Sequence, residues 1–298
     1  MIFEAMKEIP DKYKDPAEQK GTVEKFFYKT SNHREEEVEK YGYIYLPYGY
    51  DPAKPYDIVY QLHGGGEICD RALYKGSEPT YKKHFLDHMI ANGDIRPVLF
   101  VSCEWNPYNN DARKGAGTEV CRDFHNELVN ELIPAVEAKY HGYSDFKTDK
   151  KSLIAARDHR LLMGWSMGSV TMWFTVMTRD LAYFKNYNFQ SGDCWAVEEH
   201  AGKVAKETAK VLHDTILENG FTKTDFNFYI TTGTKDIAYP NLYPLTETLK
   251  DHPDLFDFSE KGNCVTHIWE NGEHHTQWRR QYQYNAILNF FRQEHKEA

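Results

Sequence analysis

The residues with the clearest chemical promise are a serine between two glycines, an aspartate after a glycine-rich turn, and a pair of adjacent histidines. Gly164-Trp165-Ser166-Met167-Gly168 follows the apolar run Leu161, Leu162, Met163 and opens a helical pattern over residues 168–178. A serine at such a strand-to-helix turn is held in strained backbone angles, and the flanking glycines remove side chains that would collide across it. This predicts Ser166 as a nucleophile lifted at the carboxyl edge of a sheet, toward an ester carbonyl. A hydroxyl is a weak nucleophile until a base takes its proton, so an acid and a histidine must follow in that order. Asp236 ends Thr-Thr-Gly-Thr-Lys-Asp directly after the predicted strand 226–232, whereas Asp225, Asp251, Asp254 and Asp257 do not directly follow a strand. Of 14 histidines, His274 and His275 fall between the last predicted strand and the last predicted helix. His267 lies within the strand, and pattern alone leaves His274 and His275 as equal candidates for the base.

A second cluster, His63-Gly64-Gly65-Gly66-Glu67, comes directly after the predicted strand 57–62. It is similar to the HGGG loop of lipases and esterases, whose bare backbone aims an amide N–H at a developing oxyanion. Gly64 and Gly65 are the expected donors there, with the N–H of Met167 as partner, and each donor is worth about 3 to 4 kcal/mol in the transition state. His84 and His88 stand four apart on a predicted helix, but the glutamate of H-E-x-x-H and a third ligand are missing. They read as a solvated helix face, and no metal is expected. Neither a phosphate-binding loop nor a dinucleotide fingerprint is present; Gly115-Ala116-Gly117 is too short a match and lacks a preceding strand. No cofactor is expected.

These groups need a sheet edge to meet on, and the apolar pattern supplies one. Residues 22–29 and 38–46 are rich in Tyr and β-branched types and predict an antiparallel pair. Short apolar runs then alternate with longer helical stretches, the pattern of a mostly parallel sheet covered on both faces. The predicted strands are 57–62, 98–103, 161–163, 187–189, 226–232 and 264–269; the predicted helices are 81–92, 118–140, 168–178, 200–219, 243–249 and 277–295. Residues 1–20 are polar and charged, carry Pro10 and Pro16, and read as a flexible lead-in or linker stub before one domain over 21–298.

Composition narrows the partners. The 36 basic and 45 acidic residues give a net charge of -9 with no long basic block, so nucleic acid is not an expected partner. No apolar stretch approaches the length of a membrane span, and a soluble chain with no membrane partner is expected. The 21 tyrosines suit a protein that offers flat apolar faces to sugar rings or aromatic groups, although most aromatics pack in cores. Cys69, Cys103, Cys121, Cys194 and Cys264 are far apart and form no C-x-x-C pair, which argues against a thiolate metal site or a dense disulfide scaffold. The N-terminus lacks a basic start followed by an apolar run, as in a cytoplasmic protein or a secreted one without its signal.

From about Tyr41 onward the chain resembles the feruloyl esterases of carbohydrate esterase family 1, especially those found as modules of bacterial multidomain xylanases. The likeness is carried by YIYLPYGYDP (43–52), HGGGE, IPAVEAKY (133–140), AARDHR followed by GWSMG, SGDCW (191–195), TGTKDIAY (232–239) and GEHHTQWRRQYQYNAILNFF (272–291). It implies an α/β-hydrolase fold, a three-layer αβα sandwich with a mostly parallel central sheet. It also implies Ser166 as nucleophile, Asp236 as the acid and His274 as the base, because the family histidine follows the equivalent of Gly272 by two residues. Ser169, where such elbows often carry glycine, and the charged Glu273 beside the base are departures. The implied substrate is a feruloyl ester on arabinoxylan, with Trp165 and Trp195 as candidate ring contacts and Asp193 as a polar one. Secretion and neighbouring modules of a multidomain enzyme are implied as well. The family also contains acetylxylan esterases, so a short-acyl esterase is one alternative. An inactive carbohydrate-binding homologue is an alternative of another class.

Overall fold

The structure is a computed structural model and describes residues 2–31, 37–75, 78–106 and 117–293. Gly115 and Ala116 lie outside the described residues, as does His295; the helix predicted to reach His295 ends at Phe291, because Arg292 leaves the helical conformation and bridges Ile95. Eight strands build one sheet: β1 Thr22–Ser31, β2 Glu37–Leu46, β3 Asp57–Leu62, β4 Val98–Cys103, β5 Arg160–Trp165, β6 Asn186–Gln190, β7 Asn227–Lys235 and β8 Cys264–Glu273. Their order is β1-β2-β4-β3-β5-β6-β7-β8. β1 pairs antiparallel with β2 and β2 antiparallel with β4, whereas every later pairing is parallel. The fold is the expected α/β-hydrolase sandwich.

Every residue of β3, β4 and β5 is buried, as central strands covered on both faces must be. Alternate residues feed two separate cores. Ile58, Tyr60, Leu62, Leu99, Val101 and Leu162 pack on one face, against the helices α2 Gly117–Glu127, α3 Ile133–Glu137, α5 Met167–Val176, α6 Ala205–Glu218 and α7 Tyr239–Leu249. Val59, Val98, Phe100, Leu161 and Met163 pack on the other face, against α1 Tyr81–Ala91 and α8 Thr276–Phe291. A short helix, α4 Lys150–Ala155, precedes β5.

The helix expected over 118–140 is interrupted. A π-turn at Leu128–Leu132 separates α2 from α3, with the N–H of Ile133 donating to Leu128 O. Pro134 explains it: proline has no N–H and its ring clashes with the carbonyl four residues back, so a wider turn relieves the strain. α7 begins at Tyr239 and carries Pro244 inside it, where the sequence suggested a start at Tyr243. α6 begins at Ala205 rather than His200, which sits at a left-handed φ of 65°.

The first twenty residues differ from the flexible lead-in that their composition suggested. The backbone N–H groups of Glu4, Lys7 and Ile9 donate to Asn289, Asn285 and Gln281, three amides spaced four apart along α8. Ile9 and Tyr13 are buried in the α1/α8 core. His84 and His88 bond the carbonyls of Lys14 and Asp15, so this pair on α1 ties down the segment. Polar composition hid the docking because backbone groups, not side chains, make most of these bonds.

Candidate active site

Ser166 lies between β5 and α5 with φ 54° and ψ -119°, a conformation that side chains other than glycine rarely adopt. The turn survives because the chain folds tightly around it: a Cβ on Gly168 would stand 2.5 Å from His63 O and 2.6 Å from Leu62 O. The backbone N–H of Ser166 donates to Gln190 O at 2.9 Å, which ties the turn to β6.

Two later loops converge on the serine. The Ser166 Oγ and His274 Nε2 are 3.0 Å apart, and His274 Nδ1 is 2.8 Å from Asp236 Oδ1. A carboxylate accepts, so Nδ1 carries the proton and Nε2 is left to accept from the serine hydroxyl. The Asp236 side chain is fully buried. Its Oδ1 also accepts from Ala238 N–H at 2.8 Å, which fixes the carboxylate at the start of α7. A backbone crossing lets the two loops meet, since a Cβ on Gly233 would stand 2.3 Å from Gly272 O. β8 extends past the predicted Trp269 to Glu273, with a register irregularity between Trp269 and Glu273. His275, the other candidate, instead caps α8 by accepting from Gln277 N–H.

The glycine loop lies against the elbow, and a Cβ on Gly65 would meet Met167 Cγ at 3.0 Å. Among the described residues no hydrogen bond engages the N–H of Gly65 or of Met167. Gly64 differs from expectation as an oxyanion donor, because its N–H donates to Glu67 Oε2 at 3.0 Å. Glu67 in turn accepts from Arg279 of α8. Burial would raise the Glu67 carboxyl, but the Arg279 charge and the Gly64 N–H outweigh it and hold the pKa below the usual value. His63 anchors the loop from beneath, with Nδ1 2.8 Å from Gly64 O and Nε2 2.7 Å from Glu104.

A cleft of about 400 Å³ opens beside Ser166 and His274, lined by Met167, Val170, Asp193, Trp195, Ile237 and Asn241 among others. Asp193 is buried and accepts from Ala201 N–H at 2.6 Å; its burial pushes the carboxyl pKa up. It therefore holds the segment entering α6 as well as lining the cleft. Trp195 lines the cleft and is half-buried. Trp165 does not line it. The residue shares a sheet face with Leu161 and Met163, is 5% exposed, and stacks on the His274 ring at 4.5 Å. It supports the imidazole from behind, where the sequence suggested a ring contact with substrate. Ile237 escaped notice in the sequence, though it follows the acid directly; it is 74% exposed at the cleft. An apolar residue next to a predicted catalytic aspartate was the available signal.

All five cysteines are buried and unpaired. No helix among the described residues is long and apolar enough to cross a membrane.

Comparison with known proteins matches the chain to esterases in sequence and fold. The Esterase family model matches residues 37–241. The chain is 33% identical over 285 residues, 95% of its length, to endo-1,4-beta-xylanase Y of Acetivibrio thermocellus, and spans 24% of that relative's length. A serine-to-alanine variant of the feruloyl esterase module from Clostridium thermocellum, complexed with sinapinate, superposes with a TM-score of 0.83 at 28% identity. That match covers 100% of this chain and 99% of the other. A CE1 ferulic acid esterase from Anaeromyces mucronatus shares the fold, with a TM-score of 0.66 at 19% identity and coverage of 95% and 96%.

Proposed function

The chain belongs to the Esterase family and is a carboxylic ester hydrolase, and from that premise we propose that it cleaves feruloyl and related hydroxycinnamoyl esters on arabinoxylan. Ser166 Oγ attacks the ester carbonyl while His274 Nε2 takes its proton. Asp236 holds the imidazole in the right tautomer and stabilises the imidazolium that forms. The N–H groups of Met167 and Gly65 receive the oxyanion, each worth about 3 to 4 kcal/mol in the transition state. His274 then protonates the departing sugar alcohol, and water, activated by the same imidazole, releases the acid from Ser166.

The observation that carries this mechanism is the unbroken relay from Ser166 through His274 to Asp236, at 3.0 and 2.8 Å. The substrate class draws support from the cleft, whose apolar wall of Met167, Val170, Trp195 and Ile237 suits a flat aromatic acyl group. The sinapinate bound to the similar clostridial module is a hydroxycinnamate of that shape. An acetyl group would leave most of this wall exposed. The match to a xylanase of which this chain spans 24% supports a place as one module of an exported plant cell wall enzyme.

Hydrolysis rates on methyl ferulate, methyl sinapate and acetylated xylan test the substrate class. Rapid cleavage of the hydroxycinnamates and release of ferulate from arabinoxylan are expected. Preference for acetyl esters would replace the proposal with a short-acyl esterase. Xylan binding without turnover of any ester would point to an inactive homologue.

A further inference from the structure

We propose that His213, His252 and Asp254 bind a divalent cation of the zinc class, at a surface junction that shares no residue with the ester-cleaving cleft. His213 lies on α6, while His252 and Asp254 flank Pro253 in the turn that leaves α7. One ligand atom from each of the three lies within 4.8 Å of the others. Ligands of a tetrahedral zinc ion stand roughly 3.3 to 3.5 Å apart, so binding requires the His252 ring to turn out of its stack on His213 and the three groups to draw together.

The hydrogen bonding of His213 shows what is missing. Its Nδ1 is 3.0 Å from Asp214 Oδ1 and its Nε2 is 2.9 Å from Asp254 Oδ2. Carboxylates only accept, so a neutral ring can satisfy one of them and turns a lone pair on the other. A positive charge has to sit between Nε2 and Asp254, either a second proton or a metal ion. The neighbouring His252 offers a second imidazole to a metal ion. Its ring stacks on His213 at 4.5 Å, yet no hydrogen bond engages it among the described residues. An imidazolium at His213 engages only the two carboxylates, whereas a metal ion would engage both imidazoles and Asp254.

The surroundings fit such a site. Asp214 fixes the His213 tautomer from behind, the carboxylate–histidine–metal arrangement that orients ligands and raises their basicity. The adjoining depression, about 370 Å³, is open to solvent and offers room for a water as a further ligand. Lys210, one of two lysines lining the depression, is paired with Asp214. Two imidazoles with one carboxylate suit zinc, nickel, copper or cobalt better than calcium or magnesium.

Zinc titration of the tag-free full chain, stripped with chelator and followed by calorimetry, tests this. Cobalt(II) visible spectra report the geometry. One equivalent should bind, and zinc at 100 times its Kd should raise Tm by about 5 °C. His252→Ala and Asp254→Asn should each weaken binding by more than about 100-fold, and Asp214→Asn by about 10- to 100-fold. Their Tm values in chelator should stay near that of the parent, which separates lost ligation from misfolding. Ester hydrolysis should not depend on zinc in any of them. The proposal is overturned if the parent binds no stoichiometric zinc, or if His252→Ala and Asp254→Asn titrate as the parent does.

Discussion

The cleft edge and the N-terminal segment are both assembled from residues far apart in the chain, but by different means. At the cleft, backbone meets backbone: Gly233 lies under Gly272, and Gly168 under the carbonyls of Leu62 and His63. Along α8, side chains meet backbone, as Gln281, Asn285 and Asn289 accept from Ile9, Lys7 and Glu4. A close backbone approach has no slack and sets the position of reacting atoms. A row of amide bonds to an extended segment can be loosened one bond at a time. The first region should therefore fail in activity and the second in stability.

The sharpest break in that contrast is chemical. Ser166→Ala removes the nucleophile without disturbing the crossing around it, and turnover of an aryl ester should fall by about 10⁴-fold or more while Tm holds. His274→Ala should lose activity on a similar scale. His275→Ala removes only a weak cap of α8 and should cost at most about 1 kcal/mol of stability with near-normal turnover. Equal losses at the two histidines would show that the base is misassigned.

Gly233→Ala probes the crossing itself. The added methyl would stand 2.3 Å from Gly272 O, so the loop carrying His274 must shift. A displacement of about 1 Å between catalytic groups costs on the order of 10²-fold in rate. Reduced kcat with little change in KM is the expected pattern. Unchanged kcat would mean that the loops tolerate separation.

The two regions also differ in how far the sequence revealed them. The elbow and the HGGG loop were legible because close backbone approaches demand glycine, and glycines at fixed spacing are visible as letters. The choice of His274 over His275 was not legible from pattern, since a base and a helix cap can occupy the same loop; the family resemblance pointed to His274. The placement of Trp165 was not legible, because its face depends on strand register, which puts it on the side of Leu161 and Met163. The docked N-terminal segment was invisible for a different reason. Its partners are three amides 272 to 285 residues away, and polar side chains on a helix read as a solvated face. His84 and His88 disguised themselves in the same way.

His267 offers a pH test of the α8 side of the sheet. Burial lowers its pKa from 6.5 to about 4, and its ring packs at 4.9 Å from Tyr229, which Phe3 of the N-terminal segment also touches. The unfolded chain takes up a proton below pH 6.5, whereas the native protein does so only near pH 4. The stability tied to this group is complete above pH 6.5 and is lost as pH falls toward 4. The loss is on the order of 3 kcal/mol. Denaturant titrations across that window should show a decline that His267→Leu makes shallower. An identical decline in the variant would place the acid sensitivity elsewhere.

Asn285→Ala is the mildest test and the one that speaks most directly to the contrast. Asn285 Oδ1 accepts from Lys7 N–H at 2.8 Å, and its Nδ2 donates to Lys7 O at 2.9 Å, so one side chain satisfies both backbone groups of one residue. Removing it strands those groups where water has partial access, at a cost of about 1 to 2 kcal/mol. Tm should fall by about 2 to 3 °C. Amide exchange should quicken at residues 4–9 and stay slow at the elbow, because Ser166 N–H is held by Gln190 O on the far side of that contact. Turnover should not change. If kcat fell together with the protection of the segment, the N-terminal docking would be coupled to the cleft through α8, whose first turn carries Arg279 to Glu67 and so to the glycine loop.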